Sequence, residues 1–291
     1  MRPSEVATVE ELHIYLRDAG QDWDHLGWRG DPEVRDTDGT VLVERFDDGS
    51  VEATSWSRGQ QRTRYGFPDL RSFVQSRVNS HLLDRLRGHL SQRDLGGRIS
   101  LSASPSRYQD EGAPPEGRWT VVVSEGEYHI GGMTMGRFRR YESHEDVVLA
   151  ADVLQRLVQQ RGPTEVAPDA DSLVRQGQLT GAGIVQRTQQ RGDADVPAVG
   201  AGDVLDRIGH ESGSQLFALG TPFAMRSQPP DMVGGEYHRY RVIDGLPDAR
   251  EGTAAAWFGQ PGGGGMVVAE HPVRWYLDHG HLVELIDPAQ G

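Results

Sequence analysis

The stretch Trp257-Phe258-Gly259-Gln260-Pro261-Gly262-Gly263-Gly264-Gly265 is the least ordinary in the chain. Its consecutive glycines let backbone approach a ligand closely or bend sharply, at an entropic cost when ordered. Flanking aromatics and a glutamine before proline are not linker composition, although a surface loop stands as the bland alternative. No Lys-Ser/Thr follows the glycines, so a phosphate-gripping P-loop fits poorly. Arg207 and Arg226 offer paired guanidinium donors that suit phosphate or carboxylate; each can equally be a solvated charge. Tyr237-His238-Arg239-Tyr240-Arg241 alternates as a strand would, with His238 and Tyr240 facing opposite to Tyr237, Arg239 and Arg241.

Other chemistries are weakly supported. The chain has no cysteine, which removes disulfide scaffolds, thiolate metal sites and cysteine nucleophiles. His279-Gly280-His281 with Glu284 has no third ligand at a recognised metal spacing, so no metal is expected. No G-x-S-x-G elbow occurs. Acidic residues number 43 against 30 basic ones, a formal charge of −13. With no basic stripe to reverse that balance, nucleic acid is not an expected partner. No apolar run approaches the roughly 18 residues of a membrane span, and MRPSEVATVEEL lacks the apolar core of a signal peptide. Compartment stays open between the cytoplasm and export by a dedicated machine.

The elements that must position these residues read as α+β. Thr8 with Glu11 forms a capping-box pattern ahead of Leu12, Tyr15 and Leu16. Strands are expected at 40–46 and 50–57 around the Asp47-Asp48-Gly49 turn, and a helix at 69–90 by its apolar period. Strands at 119–124 and 136–141 and a helix from His144 repeat that order. Aligning Ser57-Arg58-Gly59 with Ser124-Glu125-Gly126 suggests two copies of a small ββα unit, residues 1–95 and 96–160, with 100–117 a polar connector. Residues 161–195 read as a Gly- and Gln-rich linker holding one short helix. In 196–291 the pattern predicts a helix at 201–208, a Gly220-Thr221-Pro222 turn, strands at 237–243, 266–269 and 282–286, and a helix at 271–278.

Ordered landmarks in this last part resemble the tuberculosis necrotizing toxin (TNT) domain family. They are Leu205-Asp206-Arg207, Gly220-Thr221-Pro222-Phe223, Arg226 before Pro229-Pro230, Tyr237-His238-x-Tyr240, the Trp257–Gly264 run, and Val273-x-Trp-Tyr-Leu277 to Glu284. They cover about a third of the chain; the rest resembles accessory units ahead of TNT modules with far lower specificity. The resemblance implies an NAD glycohydrolase toxin that releases nicotinamide and ADP-ribose, with NAD as substrate, no cofactor, and an immunity protein as partner. It puts the essential glutamine at Gln260, functional arginines at Arg207 and Arg226 and an activity-linked histidine at His238. Arg207 and Arg226 are expected to hold the pyrophosphate, a bidentate task that suits guanidinium, and His238 to act as a positioning residue. Phe223 and Trp257 are expected to stack on a ring of the substrate, and Gly262 and Gly263 to admit it closely. The chain departs from the family where Ser214 replaces an arginine and Gln215 an aromatic residue; Phe217 would compensate only with a shifted backbone. The alternatives are a weakened module that binds NAD or a partner protein, and an ADP-ribosyl transferase. The N-terminal units would then serve docking, regulation or scaffolding.

Overall fold

A computed structural model of the 291-residue chain describes residues 2–19, 26–28, 41–57, 60–102, 116–191 and 199–287. The architecture is α+β. Helix α1 (Val9–Asp18) opens on the expected capping box: Glu11 N–H donates to Thr8 Oγ1, and Thr8 N–H donates back to the Glu11 carboxylate. Strands β1 (Leu26–Trp28), β2 (Val41–Arg45), β3 (Val51–Ser57) and β4 (Gln60–Phe67) form a sheet in that order, followed by α2 (Leu70–Gln92). Asp69 caps α2 by accepting from Ser72 N–H at 2.7 Å.

The second unit repeats the first strand for strand. Strands β5 (Ser100–Ser102), β6 (Trp119–Ser124), β7 (Glu127–Thr134) and β8 (Arg137–His144) again lie in chain order, followed by α3 (Val147–Gln159). In both sheets the first pair is parallel and the others antiparallel. In both, the last hairpin carries a register shift, between Ser55 and Trp56 and between Ile130 and Gly131. A shared topology with a shared irregularity supports a duplication. It also corrects the residue alignment. The Glu125-Gly126 turn joins the second and third strands, so its counterpart is Asp47–Gly49; residues 58 and 59 lie outside the described residues.

The 100–117 stretch is not wholly a connector, since Ser100–Ser102 pairs parallel to β6; residues 103–115 lie outside those described. Strand β7 escapes a period-two reading because Gly131-Gly132 interrupts it and its second half is buried on both faces. The glycines are there for close approach. A Cβ on Gly131 would sit 2.0 Å from Arg139 O, and one on Gly132 2.1 Å from Ser212 O. The two units share one apolar core, from Val6 through Phe73, Leu82 and Trp119 to Leu157.

The C-terminal sheet has seven strands among the described residues. They are β9 (Thr164–Val166), β10 (Val204–Ile208), β11 (Gln215–Ala218), β12 (Tyr237–Val242), β13 (Arg250–Thr253), β14 (Gly265–Val268) and β15 (Leu282–Ile286), in the order β13-β14-β11-β10-β12-β15-β9. Helices α4 (Ala170–Arg191), α5 (Phe223–Arg226) and α6 (Val273–Asp278) complete it.

Two sequence expectations are overturned here. The described part of the expected 161–195 linker, residues 161–191, is not a linker with a short helix. Strand β9 adds to the sheet beside β15, and α4 is a 22-residue helix packed on β10, β11, β13 and β14. Its glycines hid the helical period, since glycine is a poor helix former. Here a Cβ on Gly177 would lie 2.4 Å from Leu219 O, so the small residue lets the helix sit against the β11 end. Thr180 and Arg187 then tie it to Asp203 and Glu251. Nor is 201–208 a helix. Val204–Ile208 is a central strand flanked by β11 and β12, and a short segment with buried residues on both faces, Asp206 and Arg207 included, shows neither helical nor strand alternation in sequence.

Candidate functional site

Reading 204–208 as a strand fixes which side chains share a face. Asp206 lies directly opposite Phe217 on β11 and Arg239 on β12. Arg207 is opposite His238 and faces the other way. The residues nominated from sequence therefore divide between two faces of the sheet.

On the first face, Asp206 is fully buried and Arg226, at the end of α5, is 3% exposed. Arg226 Nη2 donates to Asp206 Oδ2 at 2.7 Å, and Nη1 lies 2.6 Å from Oδ1. The same Oδ2 accepts from Tyr237 OH at 2.7 Å and from Gly220 N–H at 2.8 Å. Burial and the Asp206 charge hold the Tyr237 hydroxyl well above the ordinary phenol range. Arg226 Nε donates to Thr221 O, and the guanidinium stands 4.9 Å from the Phe217 ring centre. Phe217 shares this face with Gln215 by the period of the strand, so no backbone shift is needed to place an aromatic ring there.

The glycine run lies alongside α5. Gly262 N–H and Gly264 N–H donate to Ala224 O and Met225 O, and Gly263 N–H to Ala254 O. Gly262 has φ +69° and a Cβ there would meet Ala254 O at 2.4 Å. The turn before it places Phe258 and Gly259 at positive φ and closes with Gln260 N–H donating to Trp257 O. Gln260 Nε2 donates to Gln228 O at 2.7 Å. The side-chain carbonyl oxygens of Gln260 and Gln228 are both buried and accept no hydrogen bond from the described residues, which leaves two acceptors side by side at this turn. Trp257 stacks on Phe258 at 4.6 Å and is 60% exposed, while Phe223 is half-buried at the start of α5.

A cavity of about 490 Å³ opens between α4 and these loops, lined by Gly220, Thr221, Pro222, Met225 and Gly263–Gly265 against Gln178, Gln186 and Gln189. Gly263 lines it; Gln260 and Gly262 do not.

On the opposite face Arg207 is buried and spends its donors internally. Nε donates to His210 O at 2.9 Å and Nη1 to Gln215 O at 2.7 Å. Burial lowers its pKa. His238 Nδ1 is 2.6 Å from Glu284 Oε1, and that hydrogen bond raises the imidazole pKa against an opposing effect of burial. His238 engages the Glu284 carboxylate that the sequence grouped with His279 and His281. Arg226, Gln260, Phe223 and the glycines are thus brought together, and Arg207 and His238 are not brought to them. Asp206, Tyr237 and Gln228 join the site without being among the residues expected from sequence to form it. Alternation along 204–208 and 237–241 would have paired Asp206 with Tyr237 had the first segment been read as a strand.

Among known proteins, the Tuberculosis necrotizing toxin (TNT) family matches residues 198–285. The conidial surface nicotinamide adenine dinucleotide glycohydrolase of Aspergillus fumigatus is 37% identical over 105 residues, which cover 32% of this chain and 42% of that protein. The chain therefore spans less than half the length of this relative. A solved tuberculosis necrotizing toxin, complexed with its immunity factor, is 24% identical over 33% of this chain and 50% of that one, with a TM-score of 0.25. The C-terminal third of the chain, residues 198–285, is a TNT domain.

Proposed function

We propose that the TNT domain hydrolyses the N-glycosidic bond of NAD, giving nicotinamide and ADP-ribose, and that the protein acts as a toxin or effector. The observation that carries this reading is the Gln260–Gln228 pair of orphaned amide carbonyls beside the glycine run, within a domain whose relative is named an NAD glycohydrolase. Nicotinamide leaves NAD as a cationic leaving group and needs little acid assistance. The protein has to orient the ribosyl bond, stabilise an oxocarbenium-like transition state and admit water. Gln260 Oε1 suits a ribose hydroxyl or the attacking water. Gln228 Oε1 offers a second acceptor, and the exposed Trp257 ring can stack on a base.

Arg226 takes a different role from a direct pyrophosphate clamp. With Asp206, Thr221 O and Phe217 around it, it fixes the turn 220–226 that lines the cavity. Arg207 likewise holds its own loop. This internal saturation, together with Ser214 and Gln215, favours a second reading, a weakened module that binds NAD without turning it over. A hydrolase that destroys cytosolic NAD would endanger its producer, which makes an immunity protein a fitting partner. Nicotinamide release from NAD by the full-length protein, with a Gln260 variant alongside, separates these readings. Release that disappears in the variant supports hydrolysis, binding without release supports the weakened module, and ADP-ribose transferred to protein would mark a transferase.

A further inference from the structure

We infer that the second N-terminal unit positions the strand that underlies Arg226 and the cavity-lining turn 220–226 of the TNT domain, with Thr134 as the positioning residue. The inference rests on the NAD reading above. The segment 210–215 leads directly into Gln215 and Phe217, on the face that carries Arg226. It is gripped from two sides. From within its own sheet, Arg207 donates to His210 O and Gln215 O, and Gly213 leaves room for the guanidinium, since a Cβ there would lie 1.8 Å from Nη2.

From the other side comes β7. Ser214 N–H donates to Thr134 Oγ1 at 3.0 Å in a buried bond. Gly132 packs on Ser212 so closely that a Cβ would overlap its carbonyl. Trp119 sets its edge against His210 at 5.9 Å. Ser212, Ser214 and Thr134 are all nearly inaccessible. A second row holds the unit against α6 and the two residues Glu270 and His271 ahead of it. Arg139 pairs with Glu270, His271 Nδ1 lies 2.7 Å from Arg140 O, and Tyr141 OH donates to Asp278 Oδ2 at 2.6 Å. A backbone N–H buried at this seam needs its acceptor. Without the Thr134 hydroxyl the segment must move to find another, carrying Gln215 and Phe217 with it. Phe217 lies 4.9 Å under the Arg226 guanidinium that fixes the cavity-lining turn 220–226, and a small misplacement of a substrate-positioning element is expensive in rate.

The test uses the full chain. Thr134→Val keeps the side-chain shape and deletes the acceptor, whereas Thr134→Ser keeps the hydroxyl. Amide hydrogen exchange at Ser214 should quicken at least about tenfold in Thr134→Val and return in Thr134→Ser. Over the same series kcat/KM for NAD should fall about tenfold and recover, the loss lying in KM because the cavity-lining turn binds and does not react. Should wild type bind NAD without releasing nicotinamide, calorimetric affinity replaces KM. Wild-type exchange and kinetics in Thr134→Val would overturn the inference, as would faster exchange with unchanged KM or affinity. Neither turnover nor NAD binding in wild type would instead overturn the proposed function.

Discussion

Arg226 and Asp206 meet in a two-point ion pair beneath the surface, with 2.6 Å between Nη1 and Oδ1 and 2.7 Å between Nη2 and Oδ2. Both are essentially inaccessible, so neither charge has water to fall back on. The pair joins the central strand β10 to the loop that carries α5, and Tyr237 and Gly220 complete the acceptor shell.

Removing one partner should therefore be costly. Asp206→Asn keeps the shape but strands the guanidinium, and such a loss costs about 3–5 kcal/mol. Denaturant unfolding of the full chain measures it. A companion Arg226→Met in the Asp206→Asn background should cost less than the sum of the two single changes; simple additivity would mean that the pair is not an energetic unit.

Gln260 calls for a different readout. Among the described residues its side chain makes one hydrogen bond, Nε2–H donating to Gln228 O. Gln260→Glu, which sets a carboxylate oxygen against that carbonyl, should therefore lower stability, and denaturant unfolding fixes the folded fraction on which activity is compared. Nicotinamide release should fall roughly 10²-fold or more, as expected for losing a polar group aimed at the transition state. A variant with full turnover would remove Gln260 from the chemistry.

What could be read beforehand depended on whether local signal and packing agreed. Asp69 and Thr8 announce helix starts through their own hydrogen bonds, and α2 was visible by its period because one face meets one core. Val204–Ile208 has partners on both sides and carries buried residues on both faces, Asp206 and Arg207 among them, so no hydrophobic alternation marks it as a strand and its pairing comes only from β11 and β12. In α4 the glycines that deny a helix locally are required by the surface it packs against. A cut at the apparent linker near 195 would therefore remove β9 and α4 from their own sheet. In the site, Gln260 was legible as an odd residue in an odd run. Asp206 was not, because its role arises only when the two strands and the α5 turn converge.

His238 and Glu284 give a pH prediction. Their hydrogen bond raises the imidazole pKa above 6.5, so the folded state favours the charged form. That stabilisation is complete below the unfolded-state value and is lost as pH rises through the raised folded-state value. Glu284→Gln should therefore be less stable than wild type under mildly acidic conditions, the gap narrowing as pH climbs past about 6.5. Unfolding midpoints across that window check it; a gap that stays constant would mean that His238 is not the titrating group.

Gly213 and Gly263 separate two reasons for a glycine. At Gly263 nothing lies within 4 Å of a Cβ, but φ is +87°, so Gly263→Ala should cost only the backbone penalty of about 1–2 kcal/mol. At Gly213 φ is unremarkable and the obstacle is Arg207, with Cζ 2.4 Å from where the Cβ would be. That guanidinium is anchored by two carbonyls and cannot swing aside without orphaning them. Gly213→Ala should then destabilise by about 1–3 kcal/mol, the usual range for overpacking. Combined with Arg207→Met, which removes the group it strikes, the same change should cost markedly less. Denaturant midpoints for the two singles and the double decide the matter; an undiminished cost in the double would place the strain in the backbone and not in the Arg207 clamp.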